Sequence, residues 1–464
     1  RQPHHRPPRH QGRPAQARRL LNFGDALVYL DEHINLEATL DGPKAGAVHG
    51  LSLDRVRGIV DVLGDPQASA PVIHVTGTNG KGSTSRIITA LLGAHGLTVG
   101  TYASPHLESI TERIRRNVDS ISEEDFGEIM GEIAALEPMF PDRPSYFDLL
   151  TAAAFAWFAR EAVEVMVLEV GMLGRYDSTN VASADVAVIT NVGRDHTDFR
   201  GDWRRAIAEE KAGIIEDRSA VVIGETDPQL VDVFRAEGGA VHWVRDEHFG
   251  VRSSLVALGG RHADLYTPGA RLEELYLPLH GAHQVDNAAI AIAAVEAFFG
   301  RPLDRDVVQE ALRSLEIPGR FEVVDRAPLI VLDMAHNPDG TEAVADTYTS
   351  EFHPEGGLTV VVGMLGGRDP DDTLAPLLAL RPRRVICTRA DSPRSVPAAD
   401  IAAAVARGLG DHVAEVRTID DVDGAVRKAV DLLGDDEALL VTGSTYVVGA
   451  ARATLRSLGF NARR

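Results

Sequence analysis

Cysteine is almost missing from this chain: Cys387 is the only one in 464 residues. No intramolecular disulfide can form and no cysteine metal cluster is possible, so a reducing, cytoplasmic setting is expected. Cys387 itself stands in the run Arg384-Val385-Ile386-Cys387-Thr388 and reads as a small buried apolar residue. Also missing is any stretch near the roughly 18 uninterrupted apolar residues of a membrane helix, so no membrane partner is expected. Positive charge is in deficit. The net charge is −21, spread along the chain. Such a surface repels a phosphate backbone, which argues against nucleic acid; a small anionic substrate would need a local basic pocket. No short-period repeat is visible, which excludes a solenoid. Residues 1–20 have no acidic residue, no apolar periodicity and no secretory apolar core, and read as a disordered extension.

What is present is an ordinary globular composition, 44% hydrophobic and 25% charged. The length exceeds what one core usually organises, so two domains are expected, with three as the alternative. From Phe23 onward short apolar runs alternate with amphipathic segments. Strands are expected at 72–75, 97–103, 163–170, 185–190 and 219–224, with long helices at 123–135 and 147–160. Runs such as Val165-Met166-Val167-Leu168 are apolar on both faces, as in strands covered by helices on both sides. A second set begins near Phe321, with strands at 329–332, 358–362, 384–388 and 438–442. Between the sets, Ile317-Pro318-Gly319-Arg320 has the composition of a hinge. The reading is an α/β fold: a P-loop-containing doubly wound domain over 21–318, then a smaller Rossmann-like domain over 319–464.

The strongest motif is Gly77-Thr78-Asn79-Gly80-Lys81-Gly82-Ser83-Thr84, which follows Val72-Ile73-His74-Val75 and opens a segment with helical spacing. It departs from the strict P-loop in two places: Val75 stands where the first glycine belongs, and Gly82 separates Lys81 from Ser83. The physical elements survive. Three glycines let backbone N–H groups converge at a helix N-terminus, Lys81 adds a full positive charge, and Ser83 and Thr84 offer hydroxyls to phosphate or Mg²⁺.

The loop resembles the ATP loop of the Mur ligase superfamily, and the glycine after the lysine resembles its folate branch, folylpolyglutamate synthase and dihydrofolate synthase. Other segments agree in order. They are Ser104-Pro105-His106-Leu107 with Glu112-Arg113-Ile114; Glu169-Val170-Gly171 with Gly174-Arg175, Asp177 and Thr179-Asn180; and Asp195-His196-Thr197. Glu210-Lys211-Ala212-Gly213-Ile214, His283-Gln284 with Asn287, and Gly319-Arg320-Phe321 follow; Asp333 with Ala335-His336-Asn337-Pro338, and Thr442-Gly443-Ser444, complete the set. Leu173 stands where a glycine is common, so the loop after Glu169 is expected to run differently. Gly366-Gly367-Arg368-Asp369 also departs from the family pattern.

The resemblance implies a ligase that moves the ATP γ-phosphate onto a carboxylate and lets an amine displace it. Such chemistry needs Mg²⁺, a lysine and aimed N–H groups. Glu169 ends an apolar strand, where ligands bind in open α/β sheets, and is the best candidate for a hard metal ligand. By resemblance His196 and a carbamylated Lys211 join it, with Ser83 and Ser104 as weaker ligands and Lys81 acting on phosphate. Thr78, Asn79, Gly80, Lys81, Gly82, Ser83 and Thr84 would hold the nucleotide. From the second half, Asn287 is placed at the adenine side, Arg320 at the phosphates, Asp333 at the ribose and His336 nearby. Tyr146, Phe147 and Asp148, with Tyr176, Asp177 and Ser178, would line the pocket of the pterin-bearing substrate.

The implied cofactors are ATP, two Mg²⁺ ions and a K⁺ ion. The implied partners are L-glutamate and dihydropteroate or folate, on a monomer whose 319–464 unit is a glutamate-ligase domain. Two other readings stay open: a peptidoglycan-type Mur ligase, for whose UDP-binding domain the stretch between Phe23 and Val72 is short, and a non-catalytic nucleotide-binding regulator, which could dispense with Glu169, His196 and Lys211.

Overall fold

A computed structural model describes residues 21–35, 52–194, 200–410, 412 and 414–460. The expected extension at 1–20 and the candidate ligand His196 lie outside the described residues. Helices α1 (Phe23–Asp31) and α2 (Asp54–Leu63) precede β1 (Val72–Thr76), which runs through the nucleotide loop into α3 (Lys81–Ala94). Strands β2 (Val99–Tyr102), β3 (Ile114–Arg116) and β4 (Asp119–Ser120) follow, then α4 (Glu123–Leu136), α5 (Tyr146–Arg160), β5 (Val165–Glu169) and β6 (Val186–Ile189). Next come α6 (Trp203–Ala212), β7 (Ala220–Ile223), α7 (Pro228–Glu237) and β8 (Val241–Val244).

These eight strands form one sheet in the order β4-β3-β2-β5-β1-β6-β7-β8, parallel from β2 to β8, with β3 and β4 antiparallel at the edge. Strand β1 is buried throughout, and its side chains alternate between two cores, as the period of a strand demands. Ile73 and Val75 join Ile87, Leu91 and Ile290 on the α3 side; Val72 packs with Phe155, Met166 and Leu168 on the α5 side. Helices α6 and α7 close the neighbouring part of the sheet over Ile189 and Ile223.

The expected fold class is present, with one addition. Strands β9 (Gly250–Ala257), β10 (Gly260–Tyr266) and β11 (Arg271–Leu277) make a separate antiparallel sheet, which packs on α8 (Ala282–Phe299) and α9 (Arg305–Arg313) and which the sequence reading did not contain.

The second unit opens with β12 (Glu322–Arg326), β13 (Leu329–Leu332), α10 (Pro338–Glu351) and β14 (Leu358–Val362). It continues through α11 (Pro370–Ala379), β15 (Arg384–Cys387), α12 (Ala398–Gly408) and β16 (Glu415–Thr418), then α13 (Val422–Asp431), β17 (Ala438–Thr442) and α14 (Thr445–Ser457). Its sheet order is β12-β13-β17-β14-β15-β16, parallel except for β12. Helices α10 to α12 cover one face and α13 and α14 the other, the Rossmann-like layering expected. Cys387 is fully buried here, and burial pushes its thiol up to about 12. Asp369, in the segment that departs from the family pattern, caps α11.

Candidate functional site

The carboxyl ends of β5, β1 and β6 meet at the centre of the first sheet, and three loops leave from there. The loop after β1 is the glycine loop. Gly77 and Gly80 have φ of 152° and 82°. A Cβ on Gly80 would stand 2.4 Å from Asn287 Oδ1, and one on Gly77 would stand 1.7 Å from Thr190 Oγ1, so close approach as well as backbone conformation requires glycine. Lys81 opens α3 and folds back, its Nζ donating to Gly77 O at 3.0 Å and Thr78 O at 3.2 Å. The ammonium is thereby held over the loop.

Glu169 ends β5, 5% exposed, and accepts from the Ser104 backbone N–H. Burial pushes its pKa up, while the charges of Lys81, Arg320 and Arg86 pull it down. A Cβ on Gly82 would lie 3.4 Å from its Oε2, so the carboxylate faces the first turn of α3. Ser83 is in that turn, 2% exposed, and the buried Thr84 Oγ1 there has no protein partner. A buried carboxylate beside hydroxyls suits Mg²⁺, which takes oxygen donors and keeps part of its water shell. Among the described residues no cluster of three or more His, Cys, Asp or Glu forms a metal cage.

Positive charge collects at this point although the molecule is acidic. Arg115 and Arg320 both lie close enough to act on Arg86, and burial brings the pKa of Arg86 down to about 10. Arg86 was not singled out from sequence. It stands one helical turn after Ser83, on the same face of α3, and that spacing was the available signal.

The second unit reaches the loop directly. Asn337 caps α10 and donates from Nδ2 to Asn79 Oδ1 at 3.0 Å. Asn79 N–H donates to Asn191 Oδ1 at 2.9 Å, and Thr190 Oγ1 donates to Asn79 O at 2.6 Å. Asp339 receives both Arg194 N–H and Arg194 Nε, at 2.8 and 2.7 Å. Of these, Asn191, Arg194 and Asp339 are further residues that the sequence reading missed.

At the hinge, Asp333 is buried, and its two oxygens accept Phe321 N–H and Ala335 N–H, each at 2.7 Å. Its observed work is bracing the hinge beside Arg320, whose charge lowers the pKa that burial raises. His336 Nδ1 bonds Met334 O at 2.8 Å. His283 is held neutral, its pKa lowered to about 4 by burial and by Arg320.

The third loop follows β5. Asp177 accepts Met172 N–H at 2.9 Å on one oxygen and Thr179 N–H at 3.1 Å on the other, and burial raises its pKa to about 6. Phe147 lies against Gly171, where a Cβ would come within 2.5 Å of its Cζ, and its ring centroid is 5.8 Å from that of Tyr102. Leu173 takes the glycine conformation, φ 59°, with its carbonyl accepting from Thr76 Oγ1 at 2.6 Å. Tyr146 is 7% exposed and Tyr176 40%.

Asp148, expected from sequence to contact the substrate, stands in the first turn of α5. Its Oδ2 takes Ser145 N–H and Oγ in a capping box, and its Oδ1 takes Ser178 Oγ at 2.6 Å. A carboxylate with these partners starts α5 and fixes Ser178. Lys211 lies in the last turn of α6, 3% exposed, with its Cα 3.2 Å from where a Gly174 Cβ would be.

Family models match this arrangement in both units: the Mur ligase middle domain over residues 75–295 and the Mur ligase glutamate ligase domain over 319–445. The chain is 38% identical to the dihydrofolate synthase/folylpolyglutamate synthase of Mycobacterium tuberculosis, across 86% of this chain and 89% of that protein. It belongs to the folylpolyglutamate synthase/dihydrofolate synthase family of Mur ligases. The M. tuberculosis folylpolyglutamate synthase solved with ADP superposes with TM-score 0.85 at 36% identity, covering 93% of this chain and 97% of that one. The bifunctional enzyme of Yersinia pestis, solved with AMPPNP and Mn, gives TM-score 0.80 at 32% identity, covering 95% and 100%. Folylpolyglutamate synthases thus bind adenine nucleotide and a divalent ion on this fold.

Proposed function

We propose that the protein is an ATP-dependent ligase that adds L-glutamate to dihydropteroate and to the γ-carboxylate of tetrahydrofolates, releasing ADP and phosphate. The observation that carries the reading is that the charges of Lys81, at the start of α3, and of Arg320, at the interdomain hinge, both act on the buried carboxylate of Glu169 at the end of β5. Family membership supplies the reaction class.

Glu169, with Ser83 and Ser104 beside it, is proposed to hold Mg²⁺, joined by His196. Bound there, the ion neutralises charge on the transferring phosphoryl group. Residues 78–84 cradle the nucleotide; Asn287 stands against Gly80 at the adenine side, with Asp333 and His336 close to the ribose. Arg320 presents a planar fork to the transferred phosphate, which Lys81 also neutralises. The acceptor carboxylate becomes an acyl phosphate, and the glutamate amine displaces phosphate from it. Phe147, Tyr146 and Tyr176 offer rings to the pteridine, Asp177 accepts from its amino edge, and Asp148 and Ser178 shape the wall behind.

Lys211 is proposed to be carbamylated and to serve a second Mg²⁺, a reading supported by its burial. A K⁺ ion, a monomeric state and a cytoplasmic location complete the proposal. No helix among the described residues is long and apolar enough to cross a membrane.

The test incubates purified protein with ATP, Mg²⁺, L-glutamate and either dihydropteroate or tetrahydrofolate. ADP release that depends on glutamate and either acceptor is expected, with dihydrofolate formed from dihydropteroate. Release with tetrahydrofolate alone would remove the synthase half, and none with either acceptor would sink the proposal. Lys211→Ala is expected to be inactive whatever the bicarbonate concentration; full activity would remove the carbamate.

A further inference from the structure

His74 is a fully buried histidine in the middle of β1, on the α5 side of the sheet, where an apolar residue would cost less to bury. Its Nε2 lies 2.8 Å from Thr179 Oγ1, and Thr179 Oγ1 in turn donates to Asp177 Oδ1. The polarity of this chain is determined by chemistry. An ionised Asp177 can only accept, so the threonine proton points to it, and the threonine oxygen must accept from His74 Nε2–H. The imidazole is neutral, since burial lowers its pKa to about 3. It is therefore the Nε2–H tautomer, which leaves Nδ1 as a buried acceptor without a protein partner.

We infer that His74 is a positioning residue for the acceptor substrate: it commits the Thr179 hydroxyl to Asp177 and so fixes the carboxylate that faces the pteridine. The inference rests on Asp177 belonging to the acceptor pocket. Three elements meet in the chain: the strand that feeds the nucleotide loop, the turn at 178–181, and the loop after Glu169 that Asp177 holds through Met172 N–H. Without the histidine donor, the Thr179 oxygen loses its partner on β1, and the hydroxyl that Asp177 Oδ1 accepts is no longer held in place from behind.

The experiment compares His74→Leu, His74→Gln and Asp177→Asn in steady-state assays with dihydropteroate or ATP varied. Glutamine keeps an N–H donor at similar reach; leucine keeps volume without one. His74→Leu should raise the KM for dihydropteroate about tenfold, the loss of one buried hydrogen bond, and change the KM for ATP less than about twofold. His74→Gln should stay within about threefold of the wild type for both. A dihydropteroate KM in His74→Leu like that of the wild type overturns the inference, as does an equal rise in both KM values, which would place the effect in the nucleotide strand. If His74→Leu does not fold, the Gln variant decides alone: a tenfold loss confined to dihydropteroate overturns the donor role, and retention supports it. Asp177→Asn separates the two readings. If it leaves the dihydropteroate KM unchanged, the pocket assignment fails and the inference with it. If it raises that KM while His74→Leu does not, only the inference fails.

Discussion

At the scale of single residues, the site works by burying charge where an opposite charge or a donor waits. Asp177 shows the consequence most clearly. Its pKa rises from the ordinary 3.8 to about 6 because burial penalises the carboxylate more than its hydrogen bonds favour it. The folded state therefore holds this proton more tightly than the unfolded chain does. As pH climbs from about 4 to about 6, the group takes stability away from the fold, whereas acceptor binding as proposed above needs the ionised form that appears over the same interval. The KM for dihydropteroate is expected to rise as pH falls below about 6 while the KM for ATP does not follow, and Asp177→Asn should flatten that dependence. A wild-type acceptor KM independent of pH between 5 and 7 would remove the carboxylate from the pocket (about one unit on either side of its midpoint).

At the scale of elements, the N-terminal turn of α10 docks onto the nucleotide loop. Asn337 caps its own helix through Gly340 N–H at 2.8 Å and reaches Asn79 with its other end. Asn337→Ala should lose about 1 kcal/mol of stability for the cap and raise the KM for ATP as the loop loses a brace. Urea unfolding reads the first and initial rates the second; an unchanged KM for ATP would limit Asn337 to capping.

Much of this level was legible in the sequence, and the rest was not, for physical reasons. The parallel strands announce themselves because both faces are buried: Val165-Met166-Val167-Leu168 has no polar side. The glycine loop is legible because no other composition permits its turns. The antiparallel sheet of β9 to β11 is not, since only the first residue of β9 is buried and the pairing is broken by bulges. Contacts such as Asn79 with Asn337 join residues 258 apart, and nothing local encodes them. Asp148 and Asp177 both cap a following turn, and nothing in their local sequence tells which donors each carboxylate receives.

At the scale of the whole molecule, a buried triad ties the two units together beside the hinge, where His280 lies 6.0 Å from the Phe321 ring. Glu351, at the end of α10 and 1% exposed in its side chain, bonds Arg261 of β10, accepts Gly281 N–H at 2.8 Å, and meets His280 Nδ1 at 2.7 Å. His280 in turn packs edge-on to Phe352. Removing the carboxylate leaves a buried guanidinium without its anion. Glu351→Ala is expected to cost about 3 kcal/mol in urea unfolding, against less than about 1 kcal/mol for the exposed pair Arg205–Glu209. Equal costs would mean the triad does not hold the units.

Lys81, Glu169 and Arg320 are proposed to serve the formation of an acyl phosphate from a carboxylate and ATP, and the fate of the carboxylate oxygen tests this most directly. Dihydropteroate labelled with heavy oxygen in its carboxyl group is turned over with ATP and L-glutamate, and the products are examined by mass spectrometry. The expected result is one labelled oxygen in the inorganic phosphate for each amide formed, with none in the nucleotide. Label in AMP, or unlabelled phosphate beside newly formed dihydrofolate, would contradict it.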